Sequence, residues 1–324
     1  YPIFTPVGSI AYALAAGNTV VFKPSEYTPG VGVWLEESFN AVAPFADIFT
    51  TITGLADTGN ALCTSAIDKL SFTGSTRTAK LVAAACAINM TPVVLECGGK
   101  DPVIVASDAN LDRAVDATIW SAMANAGQSC IGAERVYVDE KVAEAFIAKA
   151  VALAESIHAG APGDGNYGPA TMPSQISVIS SHLKAAIKDG GHFAYGSLKS
   201  VQAPFVQPVI LVDVPENSAA VREETFGPVS PVMRFNNLDE AIHIVNGTAY
   251  GLSSAVCTNR LDVITRLVNE LHVGSVNVRE VPGYRLELTP FGGIKDSGLG
   301  YKEGVLEAMK SFTNVKTYSL PWPT

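Results

Sequence analysis

Cys130 ends the run Gly127-Gln128-Ser129-Cys130, three residues past a glycine that closes a helical stripe. A cysteine in such a loop is better placed to attack an electrophile than one inside a helix. Only the thiolate is a strong nucleophile, however, and the negative end of the preceding helix dipole disfavours it, so activation must come from elsewhere in the fold. Glu96 follows Val93-Val94-Leu95 and precedes Cys97-Gly98-Gly99. A carboxylate at a strand end facing a cysteine loop can deprotonate a water molecule. It can equally be half of a buried ion pair with a lysine, and the residues alone leave both readings open. The other cysteines, Cys63, Cys86, Cys97 and Cys257, read as small apolar core residues. Five widely spaced cysteines without a C-x-x-C pair imply neither a zinc set nor a disulfide framework, and no metal is expected. A reducing, cytoplasmic compartment fits them.

The elements that must position these groups alternate along the first hundred residues. Strand signals at 19–22, 47–52, 69–72 and 93–95 are separated by helix signals. Thr28 is the expected cap and Pro29 the first residue of one helix, which runs through Phe39; others lie at 60–65 and 77–87. This spacing predicts a doubly wound parallel sheet. Ligands of such sheets sit beyond the carboxyl ends of the strands, which here carry Lys23, Gly54, Gly74-Ser75 and Glu96. The Gly74-Ser75-Thr76 turn opens a helix whose free N–H groups suit a phosphate, although the G-x-G-x-x-G fingerprint is absent and the glycines can simply turn the chain.

A helix is expected over 110–126, from the stripe Leu111, Val115, Ile119, Ala122 and Ala126. Further strands at 102–106, 135–138, 208–212, 229–234, 254–257 and 275–278 enclose helices at 142–157, 174–188, 238–246 and 261–271. They predict a second α/β domain carrying Cys130 opposite the first. The expected division is 1–98, 99–310 and a β-prone tail, 311–324.

The chain has 324 residues, 48% hydrophobic, with 22 Lys+Arg against 31 Asp+Glu and a net charge of −9. That composition excludes a disordered chain, and the acidic balance without a basic cluster argues against nucleic acid as a partner. Asn18, Lys23 and Glu96 interrupt the longest apolar stretches before they reach the ~18 residues of a membrane span. The opening Tyr1-Pro2-Ile3-Phe4-Thr5-Pro6 has neither region of a signal peptide.

Six motifs in order resemble the NAD(P)-dependent aldehyde dehydrogenase superfamily over the whole chain. They are Ala15-Ala16-Gly17-Asn18-Thr19-Val20-Val21-Phe22-Lys23-Pro24-Ser25-Glu26, Phe72-Thr73-Gly74-Ser75-Thr76 and Leu95-Glu96-Cys97-Gly98-Gly99-Lys100. Asn125-Ala126-Gly127-Gln128-Ser129-Cys130, Glu223-Glu224-Thr225-Phe226-Gly227-Pro228 and Pro290-Phe291-Gly292-Gly293-Ile294-Lys295 follow. The resemblance implies that fold, with a doubly wound cofactor domain and a second α/β catalytic domain. It implies Cys130 as nucleophile and Glu96 as general base, acting on a small aldehyde. It also implies Lys23 and Glu26 at the adenosine ribose, Gly54, Gly74 and Ser75 along the cofactor path, and Glu224 at the nicotinamide ribose with Phe226 beside it. NAD is expected over NADP, because the Glu26 carboxylate would repel a 2′-phosphate. A homodimer or homotetramer joined through the tail is implied too.

Three positions depart from the family pattern. Tyr1-Pro2 match the end of an Asn-aromatic-Pro motif whose oxyanion-binding asparagine would precede Tyr1. Ser9 stands where many members have lysine, and Cys97 replaces a commoner leucine. Two other classes compete with a hydrolytic dehydrogenase: a catalytically silent relative and a CoA-acylating one. Retention of Cys130 and Glu96 argues against both. In the loop before Phe291, Arg285 offers a fork for an anionic aldehyde such as phosphonoacetaldehyde, or pairs with Glu280 or Glu287 at the surface.

Overall fold

The computed structural model describes residues 1–43 and 47–323. The chain runs α1 (Phe4–Ala15), β1 (Val20–Phe22), α2 (Pro29–Asn40), β2 (Phe49–Thr51), α3 (Ala56–Thr64), β3 (Leu70–Thr73), α4 (Thr76–Ala87) and β4 (Val93–Glu96). Next come β5 (Pro102–Val105), α5 (Leu111–Met123), β6 (Arg135–Asp139), α6 (Glu140–Ala154), α7 (Pro173–Lys188), β7 (His192–Tyr195), β8 (Val201–Gln202), β9 (Phe205–Val206) and β10 (Val209–Val212). The rest is α8 (Ala219–Arg222), β11 (Val229–Phe235), α9 (Leu238–Asn246), β12 (Ser253–Cys257), α10 (Leu261–Glu270), β13 (Ser275–Val278), β14 (Gly298–Leu299) and α11 (Val305–Ser311).

The central sheet has the order β13-β12-β5-β6-β11-β10-β7. Its neighbours pair in parallel except β7, which runs antiparallel to β10 at one edge. Alternate side chains build a core on each face. Val103, Val105, Val136 and Val138 point to Ile119 of α5 and Phe146 of α6. Ile104 and Tyr137 point the other way, to Ile179 and Leu183 of α7, Ala241 of α9 and Leu267 of α10. Strands covered on both faces are the reason these segments read as nearly continuous apolar runs.

The strands expected before residue 100 all form and pair in parallel, but not as one sheet. β1–β2 is one ladder and β3–β4 another, the latter extended by β14 running antiparallel to β4. α1 packs against both β1 and β3, and the hydroxyls of Ser9 and Ser71 lie 3.0 Å apart. Neither α1 nor the two-residue β14 carries a strong periodic signal.

Caps locate several helix starts. Asn110 Oδ1 accepts from Arg113 N at 3.2 Å and Asp139 Oδ1 from Lys141 N at 3.0 Å. Thr28 does precede Pro29 at the start of α2, but its hydroxyl makes no capping bond. α3 begins at Ala56, earlier than expected, directly after the Gly54 turn. α5 stops at Met123 rather than 126, because Asn125 and Ala126 take left-handed conformations (φ 55° and 60°) and swing the chain off the helix axis. The tail expected over 311–324 is unpaired in this chain. It begins at the last residue of α11, and residues 313–323 form no strand within this chain. Val315, Tyr318, Leu320 and Trp322 are all exposed there. Thr324 lies outside the described residues.

Candidate active site

Three segments converge on Cys130: the end of β4, the turn after α5, and the loop between α8 and β11. Glu96 is the last residue of β4, paired across with Thr73 on one side and Gly298 on the other. Cys97 N donates to Ser297 O at 2.9 Å, so the antiparallel β14 fixes the strand end. The turn that presents Cys130 is tied by its own side chains. Asn125 Nδ2 donates to Gln128 O (3.1 Å), Gln128 Nε2 to Asn125 O (2.9 Å), and Gln128 Oε1 accepts from Thr171 N (2.8 Å). Gly127 has φ +69° and lies so close to Gly227 that no Cβ fits.

The Glu96 carboxylate is buried, 1% exposed. Lys302 Nζ stands 3.4 Å from its Oε2, both side chains only 2% exposed, while Oε1 has no hydrogen-bond partner among the described residues. Burial raises the Glu96 pKa above the ordinary carboxylate range; Lys302 and the adjacent Cys130 thiol pull it back down. The same burial, reinforced by the Glu96 charge, holds the Cys130 thiol well above its ordinary pKa, against the opposing pull of Lys302. The thiol therefore rests protonated beside an acceptor. The ion-pair reading of Glu96 holds for one oxygen, and the other has no partner among the described residues.

From Lys302 a string of charge runs outward. Its Nζ is 3.6 Å from Glu303 Oε1, and Glu303 Oε2 is 2.8 Å from Arg285 Nη1. The Arg285 guanidinium lies between the rings of Phe4 and Phe291, 4.7 and 4.6 Å from their centroids. This corrects the surface pairing expected for Arg285. It is not an open fork, because Glu303 holds it, and its partner is neither Glu280 nor Glu287. Sequence reasoning missed Lys302 and Glu303, whose Tyr301-Lys302-Glu303 run looks like any exposed charged turn until β14 folds it inward.

Glu224 comes to the same place. Its Oε1 accepts from Gly99 N at 3.2 Å, and a Cβ on Gly98 would strike its carboxylate. Burial, and next the nearby Glu134, push its pKa up to about 8. Phe226 follows with φ +48°, left-handed for a non-glycine residue. A Cβ on Gly99 would meet the Cys130 carbonyl at 2.8 Å, so Gly98-Gly99 is the narrow spacer between Glu224 and the cysteine loop.

The remaining expected residues form a separate group at the ends of β1, β2 and β3. Lys23 Nζ donates to Pro24 O (2.8 Å) and Gly54 O (3.1 Å) and is 4.0 Å from Glu26 Oε2. Gly74 N donates to Glu96 O at 3.1 Å. Ser75 caps α4, its Oγ accepting from Thr78 N at 3.3 Å. These residues fit a dinucleotide: a helix N-terminus at one strand end, a lysine at the next, and a carboxylate held against the Gly98 backbone where a Cβ would fill the space. All five cysteines are free thiols, and among the described residues no group of His, Cys, Asp and Glu could hold a metal ion.

A model of the aldehyde dehydrogenase family matches residues 1–318. Retinaldehyde dehydrogenase 3 of Rattus norvegicus is 36% identical over 326 residues, covering 99% of this chain and 63% of its own length. The crystal structure of an Escherichia coli NADP-dependent enzyme superposes with a TM-score of 0.92 at 34% identity, over 96% of this chain and 65% of that one. The NAD+ complex of aldehyde dehydrogenase from Bacillus cereus gives 0.93 at 31%, over 98% and 65%. The chain thus spans somewhat less than two thirds of the length of these relatives. With residues 1–318 matched and the fold shared throughout, the chain belongs to the aldehyde dehydrogenase family.

Proposed function

We propose that the protein containing this chain oxidises an aldehyde to its carboxylate with NAD, through a thioester on Cys130. The observation that carries this is the Cys130 thiol set beside Glu96, a buried carboxyl with one oxygen on Lys302 and the other free. The Cys130 S–H adds across the aldehyde C=O, sulfur to carbon and proton to oxygen, which forms a thiohemiacetal. A bound nicotinamide would supply the hydride acceptor; with hydride gone from that carbon and the hydroxyl proton lost to solvent, a thioester on Cys130 remains. Water then attacks the thioester carbon while Glu96 takes a proton from that water; as the C–S bond breaks the leaving sulfur recovers that proton, giving the Cys130 thiol and an acid that ionises to the carboxylate. Lys302 keeps Glu96 able to ionise in a site whose burial opposes any charge.

For the cofactor, Glu224 is placed to accept from the nicotinamide ribose, with Phe226 packing beside it. Lys23, Glu26, Gly54, Gly74 and Ser75 hold the adenosine and phosphate end. The relatives include both NAD and NADP enzymes. NAD is favoured here because Lys23 is engaged by two backbone carbonyls while the Glu26 carboxylate is half exposed. Residues 1–98 and 99–310 serve as cofactor and catalytic domains, and the exposed tail joins a second copy of the chain.

The test uses the full-length protein with NAD and an aldehyde. Mass spectrometry of the quenched reaction is expected to find the acyl group on Cys130, and Cys130→Ala is expected to abolish turnover while NAD still binds. More than a tenth of the activity remaining in Cys130→Ala would overturn the assignment.

A further inference from the structure

Behind Glu224 lies an ion pair that the proposed chemistry does not use. Lys100 Nζ is 2.6 Å from Glu134 Oε2, with the side chains 0% and 6% exposed. The Lys100 pKa is lowered by burial, which Glu134 opposes. A pair so deeply enclosed packs no better than apolar side chains of the same volume, so its charge needs another reason. Two consecutive amides supply that reason. Thr225 N donates to Glu134 Oε2 at 2.9 Å and Phe226 N donates to Glu134 Oε1 at 2.7 Å. One carboxylate thus receives both N–H groups of the segment immediately after Glu224, including that of Phe226 in its left-handed conformation. Lys100 Nζ also donates to Thr225 Oγ1 (3.1 Å), His182 Nδ1 lies 3.1 Å from the same hydroxyl, and Gln175 Nε2 donates to Thr225 O at 2.7 Å. Thr225 is held on every polar atom, with Glu224 and Phe226 projecting from either side of it.

We propose that Glu134, balanced by Lys100, is the positioning residue for the nicotinamide end of the cofactor, because it holds the backbone from which Glu224 and Phe226 project. A bidentate carboxylate can hold two successive N–H groups in a left-handed turn. An amide has one acceptor oxygen, and a shorter acid cannot reach both groups while keeping Lys100. This rests on the reading of Glu224 and Phe226 as cofactor contacts.

The experiment is NADH binding to the full-length protein, followed by fluorescence, for Glu134→Gln and Glu134→Asp. A parallel measurement is the rate of Cys130 alkylation by iodoacetamide without cofactor. Both variants are expected to raise the NADH Kd at least fivefold while alkylation stays within twofold of the unaltered protein. The double change Lys100→Met with Glu134→Leu replaces the pair by apolar volume. It is expected to regain thermal stability without regaining NADH affinity, because the two amides still lack their acceptor. An unchanged Kd in either single variant, or recovery of affinity in the double one, overturns the proposal. So does an equal loss of NADH affinity and Cys130 reactivity, which marks a general disruption of the fold. If the unaltered protein binds neither NADH nor NADPH, the cofactor reading itself fails, and this inference falls with it.

Discussion

Lys302 Nζ stands 3.4 Å from Glu96 Oε2, with both groups almost fully withdrawn from water. The carboxyl is pulled in opposite directions, up by burial and down by the ammonium. Water activation requires the ionised form, so the acid limb of the pH–rate profile reports this balance. Lys302→Met leaves burial unopposed by its main counter-charge. The Glu96 pKa then rises, and the acid limb is expected to move to higher pH by at least one unit in kcat. A limb that stays in place would separate Lys302 from the base.

Glu96→Gln removes the proton acceptor but leaves Cys130 free to form the thioester. The expected trace is a burst of NADH near one equivalent per site, followed by turnover about 10²–10⁴-fold slower than in the unaltered enzyme. Rapid mixing with excess aldehyde measures both phases. A lost burst would mean that Glu96 is needed before hydride transfer.

Much of this site was legible in the sequence, and what was not has a common cause. Cys130, Glu96 and Glu224 sit in short motifs whose glycines mark tight backbone approaches, and the structure brings all three together across Gly98 and Gly99. Strands β4, β5 and β6 show as apolar runs because they are buried along nearly their whole length, whereas β1 and β3 keep exposed residues and show through their β-branched and aromatic content. Lys302, Glu303, Lys100 and Glu134 did not show, since a charged residue carries no periodic signal of its burial. Only the long-range pairing of β14 with β4, 202 residues apart from Gly298 to Glu96, turns Lys302 inward. Arg285 misled for the same reason, because its partner Glu303 lies beyond the Phe-Gly-Gly motif rather than in its own loop.

Gly98 has a carboxylate where its Cβ would be. Gly98→Ala must push Glu224 aside, and Glu224 Oε1 then loses the Gly99 N–H. The KM for NAD is expected to rise at least tenfold, with the alkylation rate of Cys130 little changed. Steady-state kinetics at saturating aldehyde, set beside iodoacetamide inactivation, test this. A normal KM would remove Glu224 from the cofactor site.

Glu26 is the half-exposed carboxylate beside Lys23 at the end of β1. In the proposed assignment it disfavours a 2′-phosphate, so Glu26→Gln should raise kcat/KM for NADP while lowering it modestly for NAD. The expected change in the NAD:NADP ratio is about tenfold, the scale of one charge-assisted contact of ~1.4 kcal/mol. A ratio that does not move, or an unaltered enzyme that already prefers NADP, would reassign the adenosine site.

Arg285 carries the sharpest test of substrate class. Its Nη1 is bonded to Glu303 at 2.8 Å and its Cζ lies 4.7 and 4.6 Å from the ring centroids of Phe4 and Phe291, so the guanidinium links α1, the Phe291 segment and the start of α11. An anionic aldehyde would have to compete with Glu303 for it, at close range and in a largely buried setting. Arg285→Leu leaves Glu303 with Lys302 alone, 3.6 Å away, and removes the cation from over both rings. The expected cost is ~2–3 kcal/mol of stability in denaturant unfolding, the scale of a buried charge that loses its partner. Lys302, now shared less evenly between Glu303 and Glu96, is drawn toward Glu303. The Glu96 pKa should therefore rise, slowing kcat on the acid side for every substrate. Anionic and neutral aldehydes of similar size should lose kcat/KM by the same factor, within about threefold. A loss at least tenfold greater for the anionic aldehyde would show that the guanidinium releases Glu303 and binds the substrate.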